Sequence, residues 1–226
     1  MLLKSSLYYQ IMNETIKQEL GGLHSAKILL YSVDFSEIER CQAEDDWEKS
    51  GNILSAAAEA LERAGADFLL IGTNTMHKVV PQIQKRINIP IIHIAEVTAE
   101  ELKKNHITTV ALLGTKYTMT QEFYKEKLEN AGITVLIPEA KDIEVVNSII
   151  YDELCLGTVL ETSKEAYFRI IDSLKNRGAQ GVILGCTEIG LLIQQKDVDL
   201  PVFDTTKIHA VKAARLSLEA GLSEDY

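Results

Sequence analysis

Gly178-Ala179-Gln180-Gly181-Val182-Ile183-Leu184-Gly185-Cys186-Thr187-Glu188 is matched without a gap by Gly65-Ala66-Asp67-Phe68-Leu69-Leu70-Ile71-Gly72-Thr73-Asn74-Thr75. Both stretches read Gly-Ala, a short apolar run, a Gly, then small polar residues. A short apolar run bounded by turn residues suits a strand buried on both faces, the kind that builds parallel sheets. The two copies stand half a chain apart in a sequence of 226 residues. The spacing therefore predicts two similar lobes, each with one polar strand end. In open α/β sheets, ligands bind beyond the carboxyl ends of strands. If the lobes face each other, Thr73 and Cys186 stand on opposite sides of one cleft.

Working outward, further apolar runs occupy residues 26–33, 89–94, 109–114, 133–137 and 201–203. Between them lie helical patterns: Ile53, Leu54, Ala57, Ala58 and Leu61; Val79, Ile83 and Ile87; Phe168, Ile171 and Leu174. Strands alternating with helices predict an α/β fold, with parallel sheets flanked by helices. Right-handed crossovers then restrict the topology.

Composition excludes several classes of function. With 46% hydrophobic and 25% charged residues the chain is an ordinary globular mixture. Its net charge of −10 repels phosphate backbones, so no nucleic-acid partner is expected. No run approaches the length of a membrane span, and the start lacks the basic flank and apolar stretch of a secretory signal. The three cysteines, Cys41, Cys155 and Cys186, form no C-x-x-C pair. That argues against a disulfide framework or a zinc knuckle and for a reducing, cytoplasmic setting. No His/Cys/acid cluster has metal spacing, so no metal is expected.

Cys186 is the residue with the most chemistry to offer. A thiol has an intrinsic pKa near 8.5, and backbone N–H groups at a helix start can lower it. Such a group takes or returns a proton as well as acting as a nucleophile. His77, His93 and His209 are possible bases for a nucleophilic cysteine, but none has a diagnostic spacing. Gly185-Cys186-Thr187-Glu188-Ile189-Gly190 begins like a phosphate-binding loop. Leu191 and Leu192 then stand where Lys and Ser/Thr are required, so that reading fails. Gly114-Thr115-Lys116-Tyr117-Thr118 closes a strand and opens a helical pattern; it reads either as a carboxylate-holding loop or as an ordinary cap. Cys41 and Cys155 read as structural, as free cysteines usually pack like small hydrophobes.

With these residues in view, the chain resembles the aspartate/glutamate racemase family, in its cofactor-independent amino-acid racemase branch. The carriers are Gly21-Gly22-Leu23-His24-Ser25-Ala26, Ser32-Val33-Asp34-Phe35, Thr73-Asn74-Thr75-Met76-His77-Lys78, Leu113-Gly114-Thr115, Tyr151-Asp152-Glu153-Leu154, Gly185-Cys186-Thr187-Glu188-Ile189 and Pro201-Val202-Phe203-Asp204-Thr205. The resemblance implies two pseudo-symmetric lobes, residues 1–97 with 206–226 and residues 98–205, enclosing a small amino-acid substrate between them. It implies two-base racemisation with no cofactor, and a homodimer. A thiol on one face removes the α-proton and a group on the other face returns one. Asn74, Thr75, Thr115, Thr118, Thr187 and Glu188 match positions that hold the substrate.

Two departures from the family pattern bear on this. The first motif usually reads Cys-Asn-Thr, and here Thr73 stands in place of the first thiol. Part of the family, resembling racemases that prefer acidic amino acids, carries this Thr/Cys pair. The pattern also opens with a further β-strand and a Gly-rich loop. This chain opens at Met1-Leu2-Leu3-Lys4-Ser5-Ser6, already within the following helix. That strand would lie centrally in the first lobe, so its neighbours are expected to lack a ladder partner. Two alternatives stay open: a decarboxylase of the same superfamily, which needs only the second thiol, and a non-catalytic binding protein. For the substrate's distal carboxylate, Lys116, Lys164, Arg40 and Lys78 stand unranked. Trp47, set among charges, is expected to cover the cleft or a subunit contact.

Overall fold

Four of the apolar runs become β-strands. In the computed structural model, which describes residues 2–221 and side chains from 5 to 219, these are β1 (Thr109–Gly114), β2 (Thr134–Leu136), β3 (Val182–Gly185) and β4 (Val202–Asp204). Met1 and residues 222–226, which belong to the expected first lobe, lie outside the described residues. In the earlier half stand α1 (Leu2–Leu20), α2 (Phe35–Ala43), α3 (Trp47–Arg63) and α4 (Val80–Gln84). The later half holds α5 (Ile94–Lys104), α6 (Lys116–Thr120), α7 (Glu122–Asn130), α8 (Ala140–Ser148), α9 (Glu161–Asn176), α10 (Ile189–Leu192) and α11 (Thr205–Gly221). No helix among the described residues is long and apolar enough to cross a membrane.

The chain forms two units. One is built from residues up to Gly72, 76–93 and from Ala210 onward; the other is Thr73–Thr75 with Ile94–His209.

The second unit is a parallel sheet in the order β2-β1-β3-β4. Its central strands are buried along both faces: Val110, Ala111, Leu112 and Leu113 on β1, Val182, Ile183 and Leu184 on β3. Each of these side chains except that of Ala111 contributes about 1.5–3 kcal/mol by leaving water. The register sets Gly114 opposite Gly185 and Leu184 opposite Asp204, so the carboxyl ends of three strands lie level. The two glycines are there because nothing larger fits. A Cβ on Gly185 would stand 3.0 Å from the Leu113 carbonyl and 3.3 Å from Thr118 Cγ2, and one on Gly114 3.1 Å from the Gly185 carbonyl. Backbone cannot yield as a side chain does. Gly185→Ala is therefore expected to cost about 1–3 kcal/mol of stability, measured by urea denaturation.

The first unit keeps its predicted helices, with a core of Ile38, Ala58, Leu69, Met76, Val79, Ile83 and Ile87. Its three expected strands are not regular strands. Residues 26–33 enter no ladder among the described residues, and Leu29, Leu30 and Tyr31 are each at least half exposed. Residues 67–71 and 89–94 keep a single parallel pairing, Leu69 with Ile91, closed by Leu69 N–H to the Pro90 carbonyl and Ile92 N–H to the Leu69 carbonyl, both 2.9 Å. An extended apolar run becomes a strand only when a neighbour accepts its backbone groups, and here only that pairing does so.

The internal repeat is real at the level of dihedral angles. Both α3 and α9 end in a left-handed glycine, Gly65 (φ 92°) and Gly178 (φ 102°). In each, the next residue's N–H reaches back five residues, Ala66 to Leu61 and Ala179 to Leu174, both 3.1 Å. This is the Schellman closure that only glycine enters without strain.

Candidate active site

Every strand end that the register aligns is followed by a hydroxyl or a thiol. Thr115 follows β1, Cys186-Thr187-Glu188 follows β3 and Thr205-Thr206 follows β4. Thr73–Thr75 belong to the same unit. Two short networks tie these residues together.

The first is a line of three buried threonine hydroxyls. Thr75 Oγ1 lies 3.1 Å from Thr115 Oγ1, which lies 3.2 Å from Thr118 Oγ1. Thr115 is also the N-cap of α6, its hydroxyl accepting the Thr118 N–H at 3.3 Å. Of the two readings of this loop, the cap is what the structure shows. In the second, Asn74 donates through Nδ2 to Thr205 Oγ1 at 3.0 Å, and Thr205 donates to the Leu184 carbonyl at 2.9 Å. Asn74 Oδ1 is buried without a hydrogen-bond partner. An orphaned buried acceptor costs about 1–3 kcal/mol, so it is a group waiting for a donor.

Cys186 is buried, and its thiol donates to Glu188 Oε2 at 3.0 Å. The Thr187 hydroxyl donates to the same oxygen at 2.8 Å. A buried carboxylate held against a thiol is a proton acceptor in place, so the groups can exchange a proton without a separate base. This differs from the expected source of activation. The helix after Cys186, α10, has four residues, and the side chain of Glu188 meets the thiol directly. Thr73 is half-buried and follows the run 67–71, the sequence counterpart of the strand that Cys186 follows.

Asp204 closes β4 and caps α11, accepting N–H bonds from Thr206 (2.9 Å) and Lys207 (3.2 Å). Burial pushes its carboxyl above the usual range, and those two bonds partly offset the rise. Asp204 and Thr205, quoted above within a motif but given no role, stand at this same level of the sheet. The signal was present: Val202-Phe203 is a third apolar run closed by small polar residues, shorter than the other two.

The four candidate cations separate. Lys116 pairs with Glu144 (2.5 Å) and Lys164 with Asp197 (2.8 Å). Arg40 is exposed on α2. In the first unit, Lys78 lies 3.7 Å over the Trp47 ring, and burial lowers its ammonium pKa while Asp45 partly restores it. Trp47 thus has a partner of its own. His77 and His93 are buried edge to face at 4.6 Å in that unit, and His209 is buried in the other. The three cysteines are free thiols; Cys41 is buried and Cys155 half-buried.

The family model for Asp/Glu/Hydantoin racemase matches residues 5–213. A crystal structure of a candidate Asp/Glu racemase from Yersinia pestis superposes with a TM-score of 0.90 at 50% identity, covering 96% of this chain and 95% of that one. That of an aspartate racemase homologue from Pyrococcus horikoshii OT3 gives a TM-score of 0.80 at 39% identity, over 95% and 94% of the two chains. Among curated proteins, the broad specificity amino-acid racemase RacX of Bacillus subtilis (strain 168) is 23% identical over 71% of this chain and 69% of its own length.

Proposed function

Since the chain belongs to the Asp/Glu/hydantoin racemase family and is an isomerase of that kind, we propose that it interconverts the L and D forms of a small acidic amino acid, aspartate or glutamate, without a cofactor. The observation that carries this reading is the Cys186–Glu188 contact at the end of β3. Glu188 takes the thiol proton. The thiolate takes the α-proton from one face of the substrate and becomes a thiol again. On the opposite face the Thr73 hydroxyl donates a proton to the carbanion; solvent restores it, and Glu188 releases to solvent the proton it took, which returns the site to its starting state. The developing negative charge spreads into the substrate carboxylate, where the hydroxyls of Thr75, Thr115 and Thr118 stabilise it. Thr187 fixes Glu188 in place, and Asn74 Oδ1 accepts from the substrate ammonium. The same reading carries a cytoplasmic homodimer.

The test is a chiral assay of pure L- and D-aspartate and L- and D-glutamate. Each active pair is expected to converge on an equal mixture from either side, because free enantiomers have equal energy. Retention of optical purity for all four amino acids would reject the reading. Release of CO₂ from a substrate bearing two carboxylates on one carbon would replace it with decarboxylation.

A further inference from the structure

Of the four candidate cations, Lys78 alone is both sheltered and without an ion pair among the described residues. Lys116 and Lys164 are tied to Glu144 and Asp197, and Arg40 is exposed. Lys78 is half-buried, and its ammonium rests 3.7 Å over the Trp47 ring. Asp45 bears on it electrostatically, but the Asp45 carboxylate accepts the indole N–H of Trp47. Asp45 holds a positive φ of 57°, an uncommon conformation for a residue other than glycine. The loop thus fixes the ring under the lysine and leaves the lysine short of a counter-ion, so burial lowers its ammonium pKa. A ring face holds a cation more weakly than a carboxylate that it hydrogen-bonds.

The second observation is where this side chain starts. Thr75–Val79 is a 3-10 turn. Side chains three residues apart eclipse in that helix, and each residue rises about 2 Å. Thr75 and Lys78 therefore leave the turn on one side, about 6 Å apart along its axis. Thr75 begins the line of hydroxyls through Thr115 to Thr118 that is assigned above to the substrate's α-carboxylate. A hydroxyl and an ammonium on one side of one turn suit an amino acid that carries a second carboxylate.

We infer that Lys78 is the residue that selects an acidic substrate: its ammonium leaves the Trp47 ring for the side-chain carboxylate of the amino acid whose α-carboxylate Thr75 meets. Lys78 makes and breaks no covalent bond, and its proton stays on nitrogen. The kinetic part of this inference rests on the racemase reading; the binding part does not.

Trp47 is the one tryptophan of the chain, so its fluorescence reports the departure of Lys78 directly. The unsubstituted chain, Lys78→Gln and Lys78→Arg are titrated with L- and D-aspartate and glutamate, and with asparagine and glutamine as uncharged counterparts. Acidic amino acids are expected to change the emission of the unsubstituted chain saturably, and the amides to leave it unchanged. Lys78→Gln is expected to lose the response. In the racemase assay its KM for an acidic substrate rises about 10- to 100-fold, the worth of one hydrogen bond to a charged group, while kcat holds. Lys78→Arg keeps the charge and should keep the preference for acids over amides, which a merely structural lysine would not require. No emission change with any acidic amino acid in the unsubstituted chain, or an equal change with the amides, would overturn the inference without any variant having to fold. Equal affinity of the unsubstituted chain and folded Lys78→Gln for acidic amino acids would overturn it as well. A saturable response lost in Lys78→Gln, in a protein that racemises nothing, would uphold the carboxylate role of Lys78 and reject the racemase reading instead.

Discussion

Cys186→Ala is expected to lower racemisation by about 10³-fold, since a positioned acid–base group is worth about 10²–10⁴-fold. The substitution is small. It removes one sulfur from a buried site, and Glu188 keeps the Thr187 hydroxyl as a partner. Folding should therefore survive, with a stability cost of about 1 kcal/mol from the lost packing. The measurement is a chiral assay beside a denaturation curve. Cys155→Ser is the matched control: Cys155 is a half-buried free thiol with no part in the proposed proton transfer, so its activity should be unchanged. Activity that persists in a folded Cys186→Ala protein would remove the central element of the proposed mechanism.

The second large effect is an asymmetry between enantiomers. A hydroxyl ionises far less readily than a thiol, so Thr73 is a poor base where Cys186 is a good one. In heavy water, each pure enantiomer exchanges its α-proton for deuterium as it reacts. The enantiomer whose α-proton faces Cys186 is expected to exchange roughly 10²-fold faster than its mirror image at low conversion. Equilibrium still lies at equal amounts, so the faster direction must carry a correspondingly higher KM for its substrate. Thr73→Cys should reduce the asymmetry by restoring a thiol to the second face. Equal initial exchange rates for the two enantiomers would show that Thr73 and Cys186 are not the opposed pair.

Much of the arrangement was readable from local pattern. The apolar runs ending at Gly114, Gly185 and Asp204 were recognisable as strands because a buried parallel strand leaves no polar position to interrupt it. The helical spacing of Ile83, Ile87, Ile171 and Leu174 marked buried faces that the fold does bury. Cys186 stood out because a thiol followed a strand-end glycine. The reading went astray where pairing mattered more than pattern. Residues 26–33 are as apolar as β1, yet stay out of any ladder among the described residues. Thr205 was only part of a quoted motif, and its bonds to Asn74 and to the Leu184 carbonyl are what join it to the other strand ends.

By itself the sequence determined the alternation of helix and strand in the second unit, the repeated Gly-Ala turn with its left-handed glycine, and the residue types at each strand end. These follow from steric and hydrophobic rules acting over a few residues at a time. Tertiary structure alone decided which strands found neighbours, that Glu188 meets the thiol, and which buried hydroxyls and amides were left without a partner. Hydrogen bonding between residues far apart in the chain depends on distances of a few tenths of an ångström, and nothing local in the chain encodes them.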